Sequence, residues 1–299
     1  MVRTAKAKPK SKESLPTVEE LYFRSESAYL CLVLNRRTRS IRVIDFRAGA
    51  LPAKRLYIQS VAKREQVNKV ITLVEKDEVS SWTRVGFVRE GTIPGFYKRS
   101  DGHLCGCVIG SRTASEELTE SDVKLSERTI NAAKKELKNV PEELKVKLDI
   151  AEEKEALSAR DQQWKRLSAI GTFDPFGRDA ERAHYSVAYK KAKPNFISIE
   201  FQDCFGHSLM EVLRTPKEES EVHALTGGLR DIGEELKARG IVSAFSFAPS
   251  DDVALSTSFL AAGYRKTGLL AKAMLIGEER KDAILWTRKL ANPAGDEEA

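Results

Sequence analysis

The fold is decided by residues 241–270, which read IVSAFSFAPSDDVALSTSFLAAGYRKTGLL. The apolar run 241–247 predicts a buried strand, and the polar segment after it leads into a short helical run. Gly263-Tyr264 marks the end of that helix, because glycine adopts the left-handed conformation that closes helices without strain. The residues after Thr267 become apolar again, so the whole stretch predicts strand, short helix, glycine-aromatic stop and strand.

A second stretch, in the first half of the chain, ends in the same way. The apolar run 70–74 predicts a buried strand, Gly86-Phe87 takes the place of the glycine-tyrosine pair, and residues 91–97 predict the next strand. Because the same order of features occurs twice, we expect the chain to carry two versions of one α/β unit.

The composition is that of a chain with two ordinary hydrophobic cores. It has 299 residues, of which 41% are hydrophobic, and this length favours about two domains. No apolar run approaches the ~20 residues that cross a bilayer, and residues 1–10 lack the apolar core of a secretion signal. These features predict a cytoplasmic protein with no membrane partner. The cysteines are too few and too scattered for a disulfide framework, so we expect reduced thiols at Cys31, Cys105, Cys107 and Cys204.

Much of the formal net charge of +6 comes from the N-terminal segment. Its charged residues are Arg3, Lys6, Lys8, Lys10, Lys12 and Glu13. Such a segment contacts nucleic acid or an anionic surface in some proteins and is a disordered solubilising arm in others. We favour the second interpretation and expect no nucleic-acid partner, because the chain has no recognised nucleic-acid-binding motif.

The pattern of elements divides the chain into two units of the α/β class with mixed sheets. We expect a basic, disordered tail over 1–28, a first unit over 29–110, a helical connector over 111–179, a second unit over 180–290 and a flexible tail over 291–299. The connector is rich in Glu and Lys and has apolar residues at helical spacing. We expect this sparse apolar stripe to pack on the two units. An independent coiled coil is disfavoured, because no heptad repeat is sustained.

The two glycine-aromatic pairs stand within longer characteristic stretches. These are Gly263-Tyr264, Thr267-Gly268, Ile276-Gly277 and Trp286 in the second unit, and Lys69-Val70-Ile71, Gly86-Phe87, Glu90-Gly91 and Ile93-Pro94-Gly95-Phe96-Tyr97 in the first. The order of elements resembles the GNAT fold of N-acyltransferases, and these residues resemble the β-lysine N-acetyltransferase family over roughly 29–110 and 180–290. The resemblance implies tandem GNAT-like units and the transfer of an acetyl group from acetyl-CoA to a small amine.

The resemblance also implies where the cofactor acetyl-CoA binds. In the GNAT fold the strand before the long helix splays, which frees backbone N–H groups for the pantetheine arm and the thioester carbonyl. The next loop, Arg/Gln-x-x-Gly-x-Gly/Ala, wraps the pyrophosphate at the positive end of the helix, which here is expected to begin near Ala224. The implied cofactor-binding residues are Leu213, Thr215, Thr226, Gly227, Gly228 and Asp252. Asp252 is also suited to cap the helix that follows it.

The loop departs from this pattern in its charges. Glu221 stands where the loop arginine belongs, Ala224 stands where its first glycine belongs, and two more glutamates lie nearby. At about 4 Å and an effective dielectric of about 20, each contact between like charges costs roughly 4 kcal/mol. The glycine pair named above could form a shifted phosphate turn with Lys217 or Arg214 as its charge partner. The departure supports a second hypothesis, a pseudo-acetyltransferase that has lost CoA binding and acts as an interaction or regulatory module for a protein partner.

Acetyl transfer to an amine needs a base for the ammonium proton. Glu211 is the best candidate, because its strand borders the acyl site in the GNAT fold; the alternative is an edge carboxylate that faces solvent. Many GNAT enzymes have a tyrosine four residues before the glycine-aromatic pair, and this tyrosine acts as the general acid. At the two equivalent positions this chain has Phe259 and Trp82. Histidine side chains can relay protons near neutral pH, but His207 and His223 each stand alone in the sequence, so we interpret both as surface residues.

His103, Cys105 and Cys107 alternate along one predicted strand, so their side chains share a face. Ligands of these types are typical of zinc sites. One strand cannot easily surround a tetrahedral ion, however, and no second cysteine pair lies nearby in the sequence. We therefore expect these side chains to pack within the sheet, and we expect no metal.

Overall fold

The computed structural model describes residues 15–26, 28–46, 49, 51–109, 118–202 and 205–291. Expectations for the two terminal tails and for Cys204 lie wholly or largely outside this part of the chain. No helix within it is long and apolar enough to cross a membrane.

The first half of the chain alternates strands with two helices. In chain order these are β1 (Val18–Arg24), β2 (Tyr29–Asn35), β3 (Ser40–Asp45), α1 (Leu51–Arg64), β4 (Lys69–Val74), α2 (Val79–Arg84), β5 (Val88–Ile93) and β6 (Gly102–Val108). The β-rich runs 29–34 and 41–46, separated by the polar residues 35–39, predict a hairpin, and β2 and β3 form this antiparallel hairpin. α2 is followed by Gly86, whose φ of 91° lies in the left-handed region that favours glycine.

The second half begins with a helix and continues the alternation. Its elements are α3 (Glu120–Glu136), β7 (Lys147–Ala151), α4 (Glu153–Lys165), β8 (Glu181–Ala188), β9 (Asn195–Gln202), β10 (His207–Val212), α5 (Glu219–Ala238), β11 (Ser243–Pro249), α6 (Val253–Ala261), β12 (Arg265–Ile276) and β13 (Glu279–Lys289). A capping box between Thr119 and Asp122 fixes the start of α3. α6 is followed by Gly263, whose φ of 83° is close to that of Gly86.

The strands of the described residues form one mixed sheet. Their order is β1-β2-β3-β4-β6-β5-β12-β13-β11-β10-β9-β8-β7. From β1 to β6 and from β8 to β13 the strands follow the same relative order, and each half has one parallel pair, β3 with β4 and β10 with β11. A helix, α1 or α5, connects the two strands of each parallel pair. The predicted α/β class with a mixed sheet is confirmed, and the two halves share one order of strands, as a duplicated unit would.

The two halves meet at β5 and β12, where Gly91 pairs with Gly268. One hydrophobic cluster spans this junction. Its buried side chains are Ile93, Phe96 and Leu104 of the first half and Leu209, Phe245, Leu270, Ala283 and Leu285 of the second. Because both halves contribute to this cluster, separating them would expose apolar surface to water, and the shared cluster stabilises their mutual arrangement.

Two predicted boundaries differ from the structure. Residues 18–24, expected in the disordered tail, form β1 and pair with β2 along its whole length. Leu21 and Phe23 alternate along this strand and pack against the core of the first half. Residues 147–151, expected in the helical connector, form the edge strand β7 beside β8. Leu148 packs there against the core of the second half, so tertiary pairing rather than local pattern decides this segment.

Candidate functional site

Strands β10 and β11 separate before they end. Their parallel pairing stops at Leu209 and Phe245, although both strands continue well beyond these residues. In the opening, the Ser246 side chain donates a 2.5 Å hydrogen bond to the backbone oxygen of Met210. The second half therefore has the splay that the resemblance implies, at the end of β10 that leads into α5.

The start of α5 borders an open cleft of about 870 Å³, here called the α5 cleft. Its charged lining side chains are the cations Arg166, Lys193, Arg214, Lys217 and Lys281 and the carboxylates Glu221, Asp251 and Asp252. Within the described residues, the side chains of Arg166, Lys193 and Lys217 form no ion pair. Together with the positive end of the α5 dipole, these three cations make a site suited to a ligand with several negative charges.

The carboxylate of Glu221 is held by hydrogen bonds within the protein at the wall of this cleft. Its buried carboxylate accepts a 2.7 Å hydrogen bond from the Arg214 guanidinium and another of 2.7 Å from the backbone N–H of Lys217. Burial opposes its ionisation, but these hydrogen bonds outweigh burial and hold the pKa of Glu221 below its usual value. The expected repulsion is therefore largely compensated, because the negative charge already has an internal partner.

Thr215 and Asp252 lie together in the wall of the α5 cleft. The Thr215 hydroxyl donates a 2.6 Å hydrogen bond to Asp252, whose other carboxylate oxygen accepts from the Leu255 backbone N–H at 2.9 Å. Asp252 thus caps α6, as the sequence predicts. Leu213, in contrast, is buried and does not line the cleft. Its carbonyl accepts a 2.8 Å hydrogen bond from the Ile170 backbone N–H.

The expectation of a phosphate turn at Gly227-Gly228 is wrong. Both glycines, together with Thr226, lie buried in the middle of α5, which begins at Glu219. A Cβ on Gly227 would clash with Val146, and a Cβ on Gly228 would lie 2.7 Å from Val187. These glycines therefore allow close helix packing and do not contact the α5 cleft. The acidic residues Glu218, Glu219 and Glu221 are typical of a helix start, and this signal favours the earlier beginning.

A smaller cavity of about 150 Å³, here called the central cavity, lies between the two halves. Its polar and charged lining residues include Asn35, Thr38, Ser40, Arg42 and Lys69 from the first half and Thr172, Asp174, Glu211 and Ser246 from the second. Met210 of β10 and Phe247 of β11, which lie where these strands separate, also line it. Ile170 lines both this cavity and the α5 cleft. The two spaces therefore adjoin at the splayed ends of β10 and β11.

Glu211 lines the central cavity and is not an edge carboxylate facing solvent. It accepts hydrogen bonds from the backbone N–H and the hydroxyl of Thr172, at 3.2 and 3.0 Å, and from the Phe173 N–H at 2.8 Å. Burial raises the pKa of Glu211 to about 7, although the charge of Arg182 and the bond from Thr172 oppose the rise. A carboxyl with this pKa can both take and release a proton near neutral pH.

The interpretation of His207 and His223 as surface residues is wrong, because each is only 7% exposed. The ring of His207 stacks on Phe96 with a centroid distance of 3.7 Å, and its Nδ1 lies 3.1 Å from the Phe96 carbonyl oxygen. His223 Nε2 lies 3.1 Å from the Asn139 carbonyl oxygen. Both rings connect segments distant in sequence, which no local pattern reveals. Phe259 is fully buried and has no proton to donate.

His103, Cys105 and Cys107 lie on β6 as expected and pack within the sheet. Cys105 is fully buried, whereas His103 lies 3.2 Å from the Thr92 hydroxyl through its Nδ1. Among the described residues, no group of three or more His, Cys, Asp or Glu side chains is arranged to hold a metal ion.

Sequence reasoning missed the contribution of the first half to the central cavity. Arg42 on β3 and Lys69 on β4 line the cavity together with Glu211 of the other half. No sequence signal identifies Arg42, because its role depends on how the two halves pack.

Similarity to known proteins is found among solved structures. No protein-family model matches the chain, and no curated protein matches its sequence. Among solved structures, the chain is similar to spermidine N-acetyltransferase from Vibrio cholerae in complex with CoA and spermine, with 8% identity, a TM-score of 0.38, and coverage of 50% of this chain and 97% of that one. It is also similar to the ribosomal-protein-S18-alanine N-acetyltransferase from Escherichia coli, with 13% identity, a TM-score of 0.37, and coverage of 52% and 99%.

A third similar structure is a putative acetyltransferase from Sphaerobacter thermophilus, with 13% identity, a TM-score of 0.35, and coverage of 49% and 95%. Each alignment therefore covers about half of this chain. At these identities and scores the similarities assign neither a substrate nor an activity to it.

Proposed function

We propose that this protein is a GNAT-like N-acyltransferase that transfers an acetyl group from acetyl-CoA to a small amine. The observation that carries the proposal is the splay of β10 and β11, with Glu211 on one side and, on the other, cations that form no ion pair with any described residue. The splay separates a site for an anionic ligand from the proton acceptor Glu211. An acyltransferase needs this arrangement, because cofactor and amine must approach from different directions.

The donor set of the α5 cleft fits a phosphate-bearing cofactor. Lys193, Lys217 and Arg166 would hold the phosphate groups, and the start of α5 adds its dipole. Acetyl-CoA, when bound, supplies the acyl group in activated form as a thioester. The backbone of β10 and β11 beyond Leu209 and Phe245 would line the path of the acyl arm.

Glu211 is the proposed general base. Its three hydrogen bonds from Thr172 and Phe173 fix the orientation of the carboxylate at the cavity wall. An ammonium group in the central cavity would give a proton to this carboxylate and become a neutral, nucleophilic amine. The raised pKa of Glu211 suits this transfer, because the base is then close in strength to the working pH.

The test is turnover by the purified full chain with acetyl-CoA and a panel of small amines, with acetylated product detected by mass spectrometry. We expect product, and we expect Glu211→Gln to lower the rate by about 10²-fold or more. Absence of product across the panel, together with absence of CoA binding, contradicts the proposal.

One observation favours the second candidate, a pseudo-acetyltransferase that binds a protein partner. Glu221 occupies Arg214 and the N–H of Lys217 at the place where a phosphate would bind in an acyltransferase of this fold. A chain of that kind would show neither turnover nor stabilisation by acetyl-CoA, so the same experiment distinguishes the two functions.

A further inference from the structure

The groups that hold Glu211 belong to a short segment between α4 and β8, here called the strap and formed by residues 170–177. Thr172 and Phe173 of the strap donate the three hydrogen bonds that Glu211 accepts. The strap borders the central cavity through Ile170, Gly171, Thr172, Asp174, Pro175 and Phe176. Its position therefore decides how the carboxylate of Glu211 is bonded.

Asp174 anchors the strap to both halves of the chain. Its carboxylate, only 7% exposed, accepts hydrogen bonds from Arg160 of α4 at 2.9 Å, from Arg37 at 3.1 Å and from Asn35 at 3.4 Å. Arg37 and Asn35 belong to the first half, where they lie at the turn between β2 and β3. Charge-assisted hydrogen bonds of this kind are strong, so the first half holds the strap in place through Asp174.

Arg42 of β3 supports the same arrangement. Its Nη1 donates a 2.6 Å hydrogen bond to the Phe176 carbonyl, and its guanidinium lies 4.2 Å from the centroid of the Phe176 ring. Asp174 and Phe176 thus tie the strap to the first half on either side of Pro175.

The anchor at Asp174 leads directly to Glu211. The backbone N–H of Asp174 donates to the Thr172 hydroxyl at 3.2 Å, and this hydroxyl donates to Glu211 at 3.0 Å. Between them, Phe173 has a left-handed backbone with a φ of 54°, a conformation that costs free energy for a residue with a side chain. Such a conformation persists only where the surrounding contacts fix it. The orientation of the Phe173 N–H toward Glu211 therefore depends on the contacts of Asp174.

We propose that Asp174 is a positioning residue for Glu211: it ties the strap to the first half and so keeps the donors of Thr172 and Phe173 on the carboxylate of the base. The first half thereby regulates a site whose base belongs to the second half. The role of Asp174 in catalysis rests on the proposed acyltransferase function, whereas its effect on the hydrogen bonding of Glu211 does not.

The hydrogen bonds and the charges around Glu211 act on its ionisation in different ways. The charged groups near it are Arg182 of β8, Glu200 of β9, Asp174 of the strap, and Arg42 and Lys69 of the first half. Burial raises the pKa of Glu211 most, and the negative charge of Asp174 adds to this rise, whereas the charge of Arg182 and the bond from Thr172 oppose it. Removal of the Asp174 charge alone would therefore lower the pKa of Glu211, and release of the strap would raise it.

The experiment follows the ionisation of Glu211 in the full chain, by NMR and without acetyl-CoA. Glutamate labelled with ¹³C at its side-chain carboxyl gives one resonance per residue, and the Glu211→Gln variant assigns the resonance of Glu211. In the wild type its titration midpoint should lie at about 7. In Asp174→Ala we expect the midpoint to rise by about one pH unit or more, because hydrogen bonds to a charged group are lost. The loss of the Asp174 charge by itself would move the midpoint the other way.

Arg37→Gln tests the same connection from the first half. It weakens the hold on Asp174, so the midpoint should rise, but by less than in Asp174→Ala. Arg36→Gln is the matched control, because the side chains of Arg37 and Arg36 are 22% and 20% exposed and the ion pairs of Arg36, with Glu19 and Glu65, stay within the first half. It removes the same charge from the neighbouring residue and should leave the midpoint unchanged.

Each outcome decides the proposal. An unchanged or lowered midpoint in folded Asp174→Ala overturns it, and so do equal midpoints in Arg37→Gln and Arg36→Gln. Because Arg37 is partly exposed, its variant provides the test if Asp174→Ala does not fold. Turnover of the amine panel is measured separately. Acetylation with no effect of Asp174 on the midpoint refutes the positioning role but supports the transferase, whereas a raised midpoint without acetylation does the reverse.

Discussion

Gly91 of β5 lies directly opposite Gly268 of β12, so close that a Cβ on Gly268 would stand 2.6 Å from the Cα of Gly91. Each of these glycines follows by five residues the glycine that ends a short helix, Gly86 in the first half and Gly263 in the second. Equivalent positions of the two halves therefore face each other, as they do across a twofold axis. The close approach explains why both positions are glycine.

A side chain at this contact should loosen the junction. Gly268→Ala places a methyl group against the backbone of Glu90 and Gly91, and we expect a loss of about 1–3 kcal/mol of unfolding free energy. Denaturant unfolding measures this loss. Arg89→Ala, exposed on β5, is the control and should change stability little. Equal stability of Gly268→Ala and the wild type would mean that the close contact is absent in solution.

The ring of His207 makes stability depend on pH. Burial lowers the pKa of His207 to about 3, so the unfolded chain binds more protons than the folded chain between about pH 3 and 6.5. Stability should therefore fall as the pH is lowered through this range. His207→Phe removes the titrating group but keeps an aromatic ring beside Phe96, and its stability should fall less. The measurement is urea unfolding across the range, and identical slopes for the two proteins would contradict the expectation.

The ion pair of Glu221 sets the affinity of the α5 cleft for anions. Glu221→Gln keeps a hydrogen-bond acceptor but releases the positive charge of Arg214 into the cleft. We expect acetyl-CoA to bind about five- to tenfold more tightly at low salt, with a smaller gain at high salt because ions screen the charge. Glu219→Gln, at an exposed carboxylate of the same helical turn, should have a smaller effect. An affinity that does not change at low salt would mean that acetyl-CoA does not use this cleft.

The activity should follow the ionisation of Glu211. Because its pKa is raised to about 7, kcat/KM is expected to rise with pH and to level off above about 7. The folded chain holds this proton more tightly than the unfolded chain, so ionisation lowers stability as the pH rises from about 4.5 toward 7. Glu211→Gln should remove both dependences. A pH–rate profile that is flat between pH 5 and 8 would exclude Glu211 as the base.

Local patterns predicted the parts of this fold that depend on neighbouring residues. The sequence predicted the hairpin of β2 and β3 and the ends of the short helices at Gly86 and Gly263. Both features depend on local properties, namely the spacing of apolar residues and the conformation of glycine. The strand β7 was not, since its pairing with β8 involves residues distant in sequence. Likewise, Glu211 was found on its strand, but Arg42 was not, because only the packing of the two halves brings Arg42 to the cavity.

A calorimetric titration of the full chain with acetyl-CoA, at low and at physiological ionic strength, tests most directly whether the α5 cleft binds acetyl-CoA. We predict saturable binding that weakens with salt and weakens at least about tenfold in the double variant Lys193→Glu, Lys217→Glu. The control Lys237→Glu, at the far end of α5, should bind as the wild type does. No binding by the wild type at low ionic strength, or equal binding by the double variant, would contradict an acetyl-CoA site in the α5 cleft.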